Sequence, residues 1–371
     1  MNIVCVCGAR PNFMKIAPII AACDRRPGVH AVLVHTGQHY DKRMSRLFFD
    51  ELGIPEPDLN LGVGSASHAV QTADVMKRFE PVCTEHEPDW VLVVGDVNST
   101  IACALVAAKL GIRVGHVEAG LRSFDRTMPE EINRVLTDAI SDALFVTEPS
   151  ALENLRNEGV SDDKIHFVGN VMIDTLRHHR AQADRSDVLD TFDLAPGAYA
   201  VLTLHRPANV DDTSTFLSIL AALEVIARDQ PIVFPMHPRT RGNLERAGLF
   251  ERIDAMPALH VTEPLGYIDF LKLMADAALV LTDSGGIQEE TTILSVPCLT
   301  LRNNTERPVT ITDGTNLLAG VSTDGILAAY RKTCENPPGP NTGPALWDGR
   351  AADRIVDCLT AMMPAPVSVG V

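Results

Sequence analysis

The sequence has no long run of apolar residues, although hydrophobic residues make up 46% of its 371 positions. No stretch approaches the roughly 20 apolar residues that a helix needs to cross a bilayer, so we expect no membrane contact. The first residues, MNIVCVCGAR, lack a basic segment followed by an apolar block, so we expect no secretory signal. These absences predict a cytoplasmic protein.

Positive charge is scarce as well. The chain has 32 Lys and Arg against 48 Asp and Glu, a formal net charge of −16. Such an acidic balance argues against a nucleic-acid surface, because phosphate backbones attract basic patches. A nucleotide remains a possible ligand, since one basic pocket can lie within an acidic protein.

Two further patterns are missing. The eight cysteines contain no CxxC pair, so we predict reduced thiols in the core rather than a metal site or disulfides. No GxGxxG fingerprint follows the first apolar segment, which disfavours a dehydrogenase with a bound dinucleotide. We therefore expect no cofactor.

The sequence does have a repeated alternation of short apolar runs with amphipathic segments, which predicts an α/β fold with parallel sheets covered on both faces. Its length suits two domains better than one core. We predict two Rossmann-like domains facing a central cleft, residues 1–169 and 170–349, with a C-terminal helix and tail, 350–371, packing back on the first. Strands are predicted at residues 2–7, 30–35, 90–94, 114–117, 143–146, 199–204, 231–235, 259–261, 278–281 and 298–301. Helices are predicted at residues 12–25, 41–52, 69–85, 99–110, 129–141, 213–228, 267–275, 287–294, 325–335 and 350–362.

Acidic residues follow the predicted strands of the first half. Asp96 in GDVNST comes after the apolar strand WVLVV, Glu118 in HVEAGLRS leaves the next strand, and Glu130 in PEEINR opens a helix. Asp96 could simply cap a helix, and Glu130 could complement a helix dipole. Because strand ends meet at one edge of a parallel sheet, we expect the three carboxylates to share a cleft and supply both an acid and a base.

A basic pair follows the first predicted strand, in GARPNFMK. Gly8 permits a tight turn and Pro11 suits the first turn of a helix. Arg10 and Lys15 are then near a helix N-terminus, which favours an anion. The alternative is a solvated basic pair at a helix start.

The second half carries histidines and a glycine turn at the ends of its strands. His205 and Arg206 follow a buried strand in LHRPANV, and MHPR repeats the pattern one strand later. The segment TDSGGIQEE offers bare backbone N–H groups at a helix start, which suits a pyrophosphate. Glu290 follows Ser284 at a distance where a carboxylate can accept both hydroxyls of a ribose. The alternative is a glycine turn with a capping Ser284.

Taken in order, these segments resemble the motifs of the non-hydrolysing UDP-N-acetylglucosamine 2-epimerases. The matching motifs, from residue 3 to residue 320, are GARPNFMK, TGQH, GDVNST, HVEAGLRS, PEEINR, HRPANV, HPRT, TDSGGIQEE and NTERP. Each is weak alone, but the ordered set is specific. The resemblance implies a glycosyltransferase-B-like fold, a homodimer, and interconversion of UDP-GlcNAc with UDP-ManNAc, which supplies ManNAc for bacterial envelope polysaccharides.

The resemblance also implies roles for individual residues. Asp96 would be the base near C2, and Glu118 and Glu130 would act in proton transfer. His205 would stabilise the leaving UDP. Positions near the reacting anion or the bound UDP are matched by Arg10, Lys15, Phe270, Ser284, Gly285, Gly286 and Glu290. A second, activating UDP-GlcNAc site, present in some members, is matched by Gln38, Arg206 and His237. Many members read HRREN and TERPE where this chain reads HRPAN and TERPV, so it lacks the charges at 208 and 309.

The chemistry explains why such groups are needed. The C2 proton of the sugar is not next to a ring carbonyl, so direct removal is too difficult. Expelling UDP from C1 as the C2 proton leaves gives 2-acetamidoglucal, and UDP adds back after a proton arrives on the opposite face. This route needs carboxylates, groups that hold UDP, and a dry cleft. The alternatives are a hydrolysing epimerase that releases ManNAc and UDP, a UDP-sugar transferase, and an inactive UDP-sugar-binding module.

Overall fold

The structure is a computed structural model that describes residues 1–37, 52–53, 56–339 and 343–363. The chain divides into two compact units, which we call the first unit (Met1–Thr175 with Ala345–Val371) and the second unit (Leu176–Pro344). The helix predicted for residues 41–52 lies outside the described residues except at its last position.

The first unit contains a parallel sheet that has seven strands within the described residues. The strands are β1 (Asn2–Cys7), β2 (His30–His35), β3 (Leu59–Asn60), β4 (Trp90–Val94), β5 (Arg113–Ala119), β6 (Ala143–Val146) and β7 (Ile165–Phe167). They lie in the order β3-β2-β1-β4-β5-β6-β7. The strand order reverses between β1 and β4, and such a switch point is where open α/β sheets bind ligands beyond the strand carboxyl ends.

The second unit repeats this plan with six described strands, again all parallel. They are β8 (Ala200–Thr203), β9 (Ile232–Pro235), β10 (Leu259–Thr262), β11 (Leu279–Thr282), β12 (Cys298–Thr300) and β13 (Asn316–Leu318). Their order, β10-β9-β8-β11-β12-β13, puts the switch point between β8 and β11. The two parallel sheets confirm the predicted α/β class.

Helices connect the strands of both sheets. In chain order the described helices are α1 (Arg10–Asp24), α2 (His68–His86), α3 (Asn98–Lys109), α4 (Pro129–Ile140), α5 (Pro149–Asn157), α6 (Val171–Ala183), α7 (Val188–Thr191), α8 (Pro207–Val210), α9 (Thr213–Asp229), α10 (Pro238–Ala247), α11 (Phe250–Asp254), α12 (Tyr267–Ala275), α13 (Gly285–Leu294), α14 (Val309–Thr312), α15 (Thr323–Glu335) and α16 (Ala351–Ala361). Capping explains several starts: Ser67 accepts a hydrogen bond from a backbone N–H of α2, and Asp212 accepts two from α9. Within the described residues, no helix is both long and apolar enough to cross a membrane.

The central strands of both sheets are buried on both faces, which is why they read as continuous apolar runs. All five residues of β4, WVLVV, are buried, and so are the last five of β1. The sequence missed β3, β7 and β13, which have two or three residues each and no such run. The expectation of core thiols is wrong for Cys334, which is exposed, and Cys358 is only half-buried, whereas the other six cysteines are buried.

The C-terminal helix α16 belongs to the first unit. The carboxylate of Asp174 accepts hydrogen bonds from the backbone N–H groups of Ala351 (3.1 Å) and Ala352 (2.8 Å), the first two residues of α16. Burial raises the pKa of Asp174 to about 6, although these two bonds act in the opposite direction. Arg25, directly after α1, also pairs with Asp353 at 2.9 Å. The chain thus leaves the first unit within α6 and returns after Pro344.

Candidate active site

Asp96 lies just beyond the carboxyl end of β4, next to the switch point of the first sheet. Helix α3 has Val97 at its N-cap without a side-chain bond, so Asp96 does not cap it. Instead its Oδ2 accepts hydrogen bonds from Nε (3.0 Å) and Nη2 (2.7 Å) of Arg134 in α4. Asn133 donates to the Asp96 backbone carbonyl at 2.9 Å. Helix α4 therefore fixes both the backbone and the carboxylate of Asp96.

Glu118 lies near this position, on the neighbouring strand. It is buried and forms an ion pair with Lys15 of α1. Gly95, directly before Asp96, has a φ of +66°, and a Cβ placed on it would lie 3.2 Å from Nζ of Lys15 and 3.6 Å from Oε2 of Glu118. Both side chains thus lie close to the turn that carries Asp96, and the positive φ of Gly95 favours glycine at this position.

Glu130 is exposed in the first turn of α4, and the network around Asp96 uses its neighbour Glu131. Glu131 is buried and accepts a hydrogen bond from Nη1 of Arg134 at 2.6 Å. It also accepts backbone N–H bonds from Ser123 and Phe124, both at 2.9 Å. Glu131 therefore ties the loop after Glu118 to the arginine that holds Asp96.

The segment from His116 to Arg122, which contains Glu118, is held by Asp138 of α4. Nδ1 of His116 lies 2.6 Å from Oδ1 of Asp138, and Nη2 of Arg122 lies 2.8 Å from Oδ2. The Gly120 backbone N–H donates to the same Oδ2 at 3.0 Å. Burial would raise the pKa of Asp138, but the charges and hydrogen bonds of His116 and Arg122 outweigh it and lower that pKa.

The start of α1 is anchored to the same edge of the sheet. The side-chain oxygen of Asn12 accepts the backbone N–H of Ala9 at 2.9 Å, and its amide nitrogen donates to the carbonyl of Val94 at 3.0 Å. This links the turn after β1 to the end of β4 across the switch point. Arg10 is the first residue of α1, and Gln38 lies outside the described residues.

In the second unit, His205 forms a pair with Asp283 at the switch point between β8 and β11. Nδ1 of His205 lies 3.0 Å from Oδ1 of Asp283, and the imidazole is 48% exposed. Asp283 is fully buried and accepts the backbone N–H groups of His205 and Arg206. Burial would raise the pKa of Asp283, but the hydrogen bond and charge of His205 and the backbone donors hold it below the ordinary value. The carboxylate thus fixes one ring nitrogen of His205.

The glycine turn begins at Ser284, which occupies the N-cap position of α13 without a side-chain capping bond. A Cβ placed on Gly285 would lie 2.5 Å from Nη1 of Arg307, so the guanidinium lies against this turn. A cation at a helix N-terminus is unfavourable by itself, because that end already carries partial positive charge. The turn of Ser284, Gly285 and Gly286 therefore places backbone N–H groups beside the guanidinium of Arg307, an arrangement suited to a phosphate.

Buried carboxylates hold this arginine and two others in place. Arg307 pairs with Glu289, while Arg302 makes two bonds to Glu306 at 2.7 and 2.8 Å. Arg206 lies 3.6 Å from Glu306. Burial would raise the pKa of Glu306, but the surrounding arginines lower it strongly. Burial lowers the pKa of Arg206, although the negative charge of Glu306 acts in the opposite direction.

Glu290 lies on α13 and is buried. Its Oε1 accepts a hydrogen bond from the hydroxyl of Tyr267 at 2.9 Å. Burial raises the pKa of Glu290 to about 7; the Tyr267 bond lowers it and the charge of Glu289 raises it. Phe270 is half-buried one helical turn after Tyr267 on α12, so the two residues share a helix face.

The remaining predicted residue, His237, is exposed and caps α10, where its Nδ1 accepts the backbone N–H of Arg239 at 3.2 Å. Position 309, where the chain reads Val, is buried in α14. Within the part of the chain that the structure describes, no three His, Cys, Asp or Glu side chains come together in a way that could hold a metal ion.

Sequence reasoning did not single out several residues that position the site. Asp283 is part of the motif TDSGGIQEE, and its position directly before the glycine turn could have indicated a role in the site. Glu131 and Arg134 stand inside PEEINR, where their helical spacing put them on one face. Asp138 lies outside every motif, and the sequence carried no signal for its role.

Comparisons with known proteins cover nearly the whole chain. The family described as UDP-N-acetylglucosamine 2-epimerase matches residues 21–360. A UDP-N-acetylglucosamine 2-epimerase homolog of Methanococcus maripaludis is 44% identical over 97% of this chain and 99% of its own length. A UDP-2,3-diacetamido-2,3-dideoxy-D-glucuronate 2-epimerase of Pseudomonas aeruginosa is 40% identical over 98% of this chain and 100% of its own length. The crystal structure of Methanocaldococcus jannaschii UDP-GlcNAc 2-epimerase in complex with UDP-GlcNAc and UDP is 41% identical, covers 97% of this chain and 100% of that chain, and has a TM-score of 0.91.

The match to each of these relatives extends over both units, as do the ordered motifs found in the sequence. The similarity confirms the resemblance noted from the sequence: the chain belongs to the UDP-N-acetylglucosamine 2-epimerase family.

Proposed function

We propose that this chain reversibly epimerises UDP-N-acetylglucosamine at C2 to UDP-N-acetylmannosamine. One observation carries the proposal. In a chain of this family, the switch point of the first sheet presents Asp96 and Glu118, and the switch point of the second presents the turn at Ser284 with Arg307. Proton-transfer groups in one unit and a diphosphate site in the other are what elimination and re-addition of UDP require.

The reaction divides between the two units. Asp96 removes the C2 proton as the bond between C1 and the UDP oxygen breaks, which leaves 2-acetamidoglucal and UDP. Glu118 and Glu130 carry protons in the return step, in which a proton adds to the opposite face of C2 and UDP re-forms its bond to C1. Arg134 and Lys15 support this assignment, because their ion pairs with Asp96 and Glu118 hold these two carboxylates in place.

The second unit holds the leaving group. The backbone N–H groups of the turn from Ser284 to Gly286, with Arg307 beside them, would bind the diphosphate. Glu290 accepts the ribose hydroxyls and Phe270 lies beside uracil. His205 donates to the departing diphosphate, and Asp283 keeps its ring oriented. Arg206, His237 and Gln38 form the activating site in this proposal.

A specific relative raises a second candidate substrate. The Pseudomonas aeruginosa protein, at 40% identity over the full chain, is named for a UDP-2,3-diacetamido glucuronate. Both substrates place an acetamido group at C2 beside a UDP leaving group, so the same residues serve both. Assaying the two UDP-sugars side by side separates the candidates, because the preferred substrate has the larger kcat/KM.

The proposed reaction is tested by incubating the chain with UDP-GlcNAc in deuterated water. We expect deuterium at C2 of both recovered UDP-sugars, because each re-addition takes a proton from a group in exchange with solvent. Proton NMR of the C2 signal and mass spectrometry of the products measure it. The intact UDP-sugar in the product also distinguishes the non-hydrolysing reaction from the hydrolysing one.

Other outcomes would contradict the proposal in different ways. Free ManNAc and UDP would identify a hydrolysing epimerase. Consumption of UDP-GlcNAc without deuterium at C2 would favour transfer of the sugar to an acceptor. Binding of UDP-GlcNAc with neither turnover nor exchange would leave a binding module. If the elimination route is correct, UDP and 2-acetamidoglucal supplied together in deuterated water should add to each other and give a UDP-sugar with deuterium at C2.

We also propose that the protein works as a homodimer in the cytoplasm and supplies ManNAc for envelope polysaccharide. Support for a cytoplasmic location comes from six cysteines that are buried as free thiols, which suits a reducing compartment. Support for the dimer comes from α4, whose outer face exposes Ile132, Val135 and Leu136, all 40% exposed or more. Their spacing places them on one stripe of the helix, and an exposed apolar stripe marks a contact surface.

Leu136→Glu is expected to convert the dimer to a monomer, because a charge in the middle of an apolar contact must be desolvated without a partner. Sedimentation velocity at micromolar concentration measures the change in mass. Leu318→Glu is the matched control, because Leu318 has a similar exposure of 40% but lies in the second unit. A wild-type chain that is monomeric, or a Leu136→Glu variant that remains dimeric, would refute this interface.

A further inference from the structure

Glu118 has a backbone conformation that glutamate rarely adopts. Its φ is +70°, in the left-handed region that favours glycine. The pairing of β5 with β6 shifts register between Val117 and Ala119, so Glu118 is the extra residue of a β-bulge. A bulge re-aims a side chain, and here the Glu118 carboxylate meets Lys15. Because this conformation is unfavourable for glutamate, contacts from neighbouring residues must stabilise it.

Asp138 is placed to do so. Its carboxylate contacts the segment at three points: the His116 ring, the Gly120 backbone N–H and the Arg122 guanidinium. Two of these points follow Glu118 and one precedes it, so one carboxylate closes around the bulge. We call this arrangement the Asp138 clasp. Asp138 lies on α4, the same helix whose Arg134 binds Asp96.

His116 extends the clasp to the neighbouring strand. Its Nε2 donates to the carbonyl of Gly95 at 2.8 Å, and Gly95 is the residue directly before Asp96. The ring is fully buried, so it cannot touch a substrate. One side chain therefore bridges the turn that carries Asp96 and the clasp that shapes the bulge at Glu118.

We propose that His116 and Asp138 are positioning residues that set the Glu118 carboxylate in register with Asp96. The proposal rests on the proposed function, because it concerns proton transfer between those two carboxylates and C2. The competing explanation is that the buried network only fills and stabilises the core. The two explanations differ in what they demand of position 116: positioning needs the hydrogen bonds, whereas filling needs only the volume.

A pair of substitutions separates them. His116→Phe keeps a ring of similar size and loses both hydrogen bonds, whereas His116→Gln keeps a donor that can reach the Gly95 carbonyl but packs less fully. Positioning predicts that kcat falls about 10²-fold for Phe, the scale expected for a misplaced catalytic group, and clearly less for Gln. A filling role predicts the reverse order, because Phe packs better. KM and UDP affinity are expected to stay within about threefold, since UDP binds through the second unit.

Asp138→Asn provides a second variant, because it keeps the shape of the clasp and removes its charge. We expect a loss of kcat similar to that of His116→Phe. The matched control is His30→Gln, which should retain wild-type activity. His30 is exposed and is the first residue of β2, at the end of the strand away from the carboxyl edge of the sheet. Urea unfolding identifies any variant that is not fully folded, and Arg122→Gln, which removes a single contact of the clasp, replaces a variant that fails this check.

The outcome does not depend on activity alone. If wild type incorporates no deuterium at C2, the proposed function is wrong. If wild type incorporates deuterium and the variants of the Asp138 clasp do not, the result supports a positioning role for His116 and Asp138. Crystal structures of His116→Phe and Asp138→Asn should show Glu118 out of its left-handed conformation and away from Lys15. A variant structure in which Glu118 keeps both, or a Phe variant as active as wild type, would overturn the inference.

Discussion

Asp96→Asn is expected to lose about 10³-fold in kcat while the protein stays folded, within the range that general acid–base groups contribute. Asparagine has the same shape and its oxygen can still accept the bonds from Arg134, so the site should keep its geometry. It cannot accept the C2 proton. Turnover of UDP-GlcNAc and deuterium exchange at C2 should therefore fall together, and circular dichroism and UDP binding should match wild type.

Asp357→Asn is the matched control for this experiment. Asp357 also pairs with an arginine, Arg26 at 2.8 Å, but on α16 and away from the carboxyl edge of the sheet. The same change of charge there should leave kcat unaltered. If Asp96→Asn turns over at a near-normal rate, Asp96 is not the base, and Glu118, whose buried carboxylate lies close to the turn that carries Asp96, is the next candidate.

The sequence predicted the sheets because their central strands are buried on both faces, and it failed where that physical signal is absent. The strand β4 reads as WVLVV and could hardly be missed. The strand β13 has three residues, Asn316–Leu318, and its pairing depends on β12 rather than on any pattern of its own. Because such a short strand is stabilised by pairing with its neighbour, its own sequence does not predict it.

The candidate site was predictable only as far as each group stands in a motif or at a strand end. Asp96 and His205 follow apolar strands and could be found. Helix α4 was predicted as an element, but its buried face was not, because it buries Glu131, Arg134 and Asp138. Its residues Ile132, Val135 and Leu136 are exposed instead. Periodicity identifies such a helix but assigns its apolar stripe to the core, since that is the usual case. Which face is buried depends on the tertiary contacts of the site.

Glu290→Gln is expected to stabilise the protein at pH 8 and to weaken UDP binding. The pKa of Glu290 is raised from 4.5 to about 7 by burial. A raised acid pKa means that the folded state prefers the protonated form, so the stability linked to this group is present below pH 4.5 and is lost as the pH rises through about 7. At about 1.4 kcal/mol per tenfold change in acidity, the ionised carboxylate costs on the order of 3 kcal/mol at pH 8. Glutamine is neutral, avoids this cost, and keeps an oxygen for the Tyr267 hydroxyl.

The same substitution removes a charged acceptor for the ribose hydroxyls, and UDP affinity should fall by roughly 10- to 100-fold, the scale of one charge-assisted hydrogen bond. Urea unfolding at pH 8 and pH 5 and calorimetric titration with UDP measure the two effects. The gain in stability should be large at pH 8 and small at pH 5.

The control variant is Glu335→Gln. Glu335 is exposed at the end of α15, so this substitution makes the same change of charge and should alter neither stability nor UDP affinity. Equal stability of Glu290→Gln and wild type at pH 8, or unchanged UDP affinity, would mean that this carboxylate is not held buried for the nucleotide. The test depends on the opposite signs of the two effects, a gain in folding stability and a loss of UDP affinity. If position 290 served folding alone, glutamine would be the better residue there, so a loss of UDP affinity explains why the chain has glutamate.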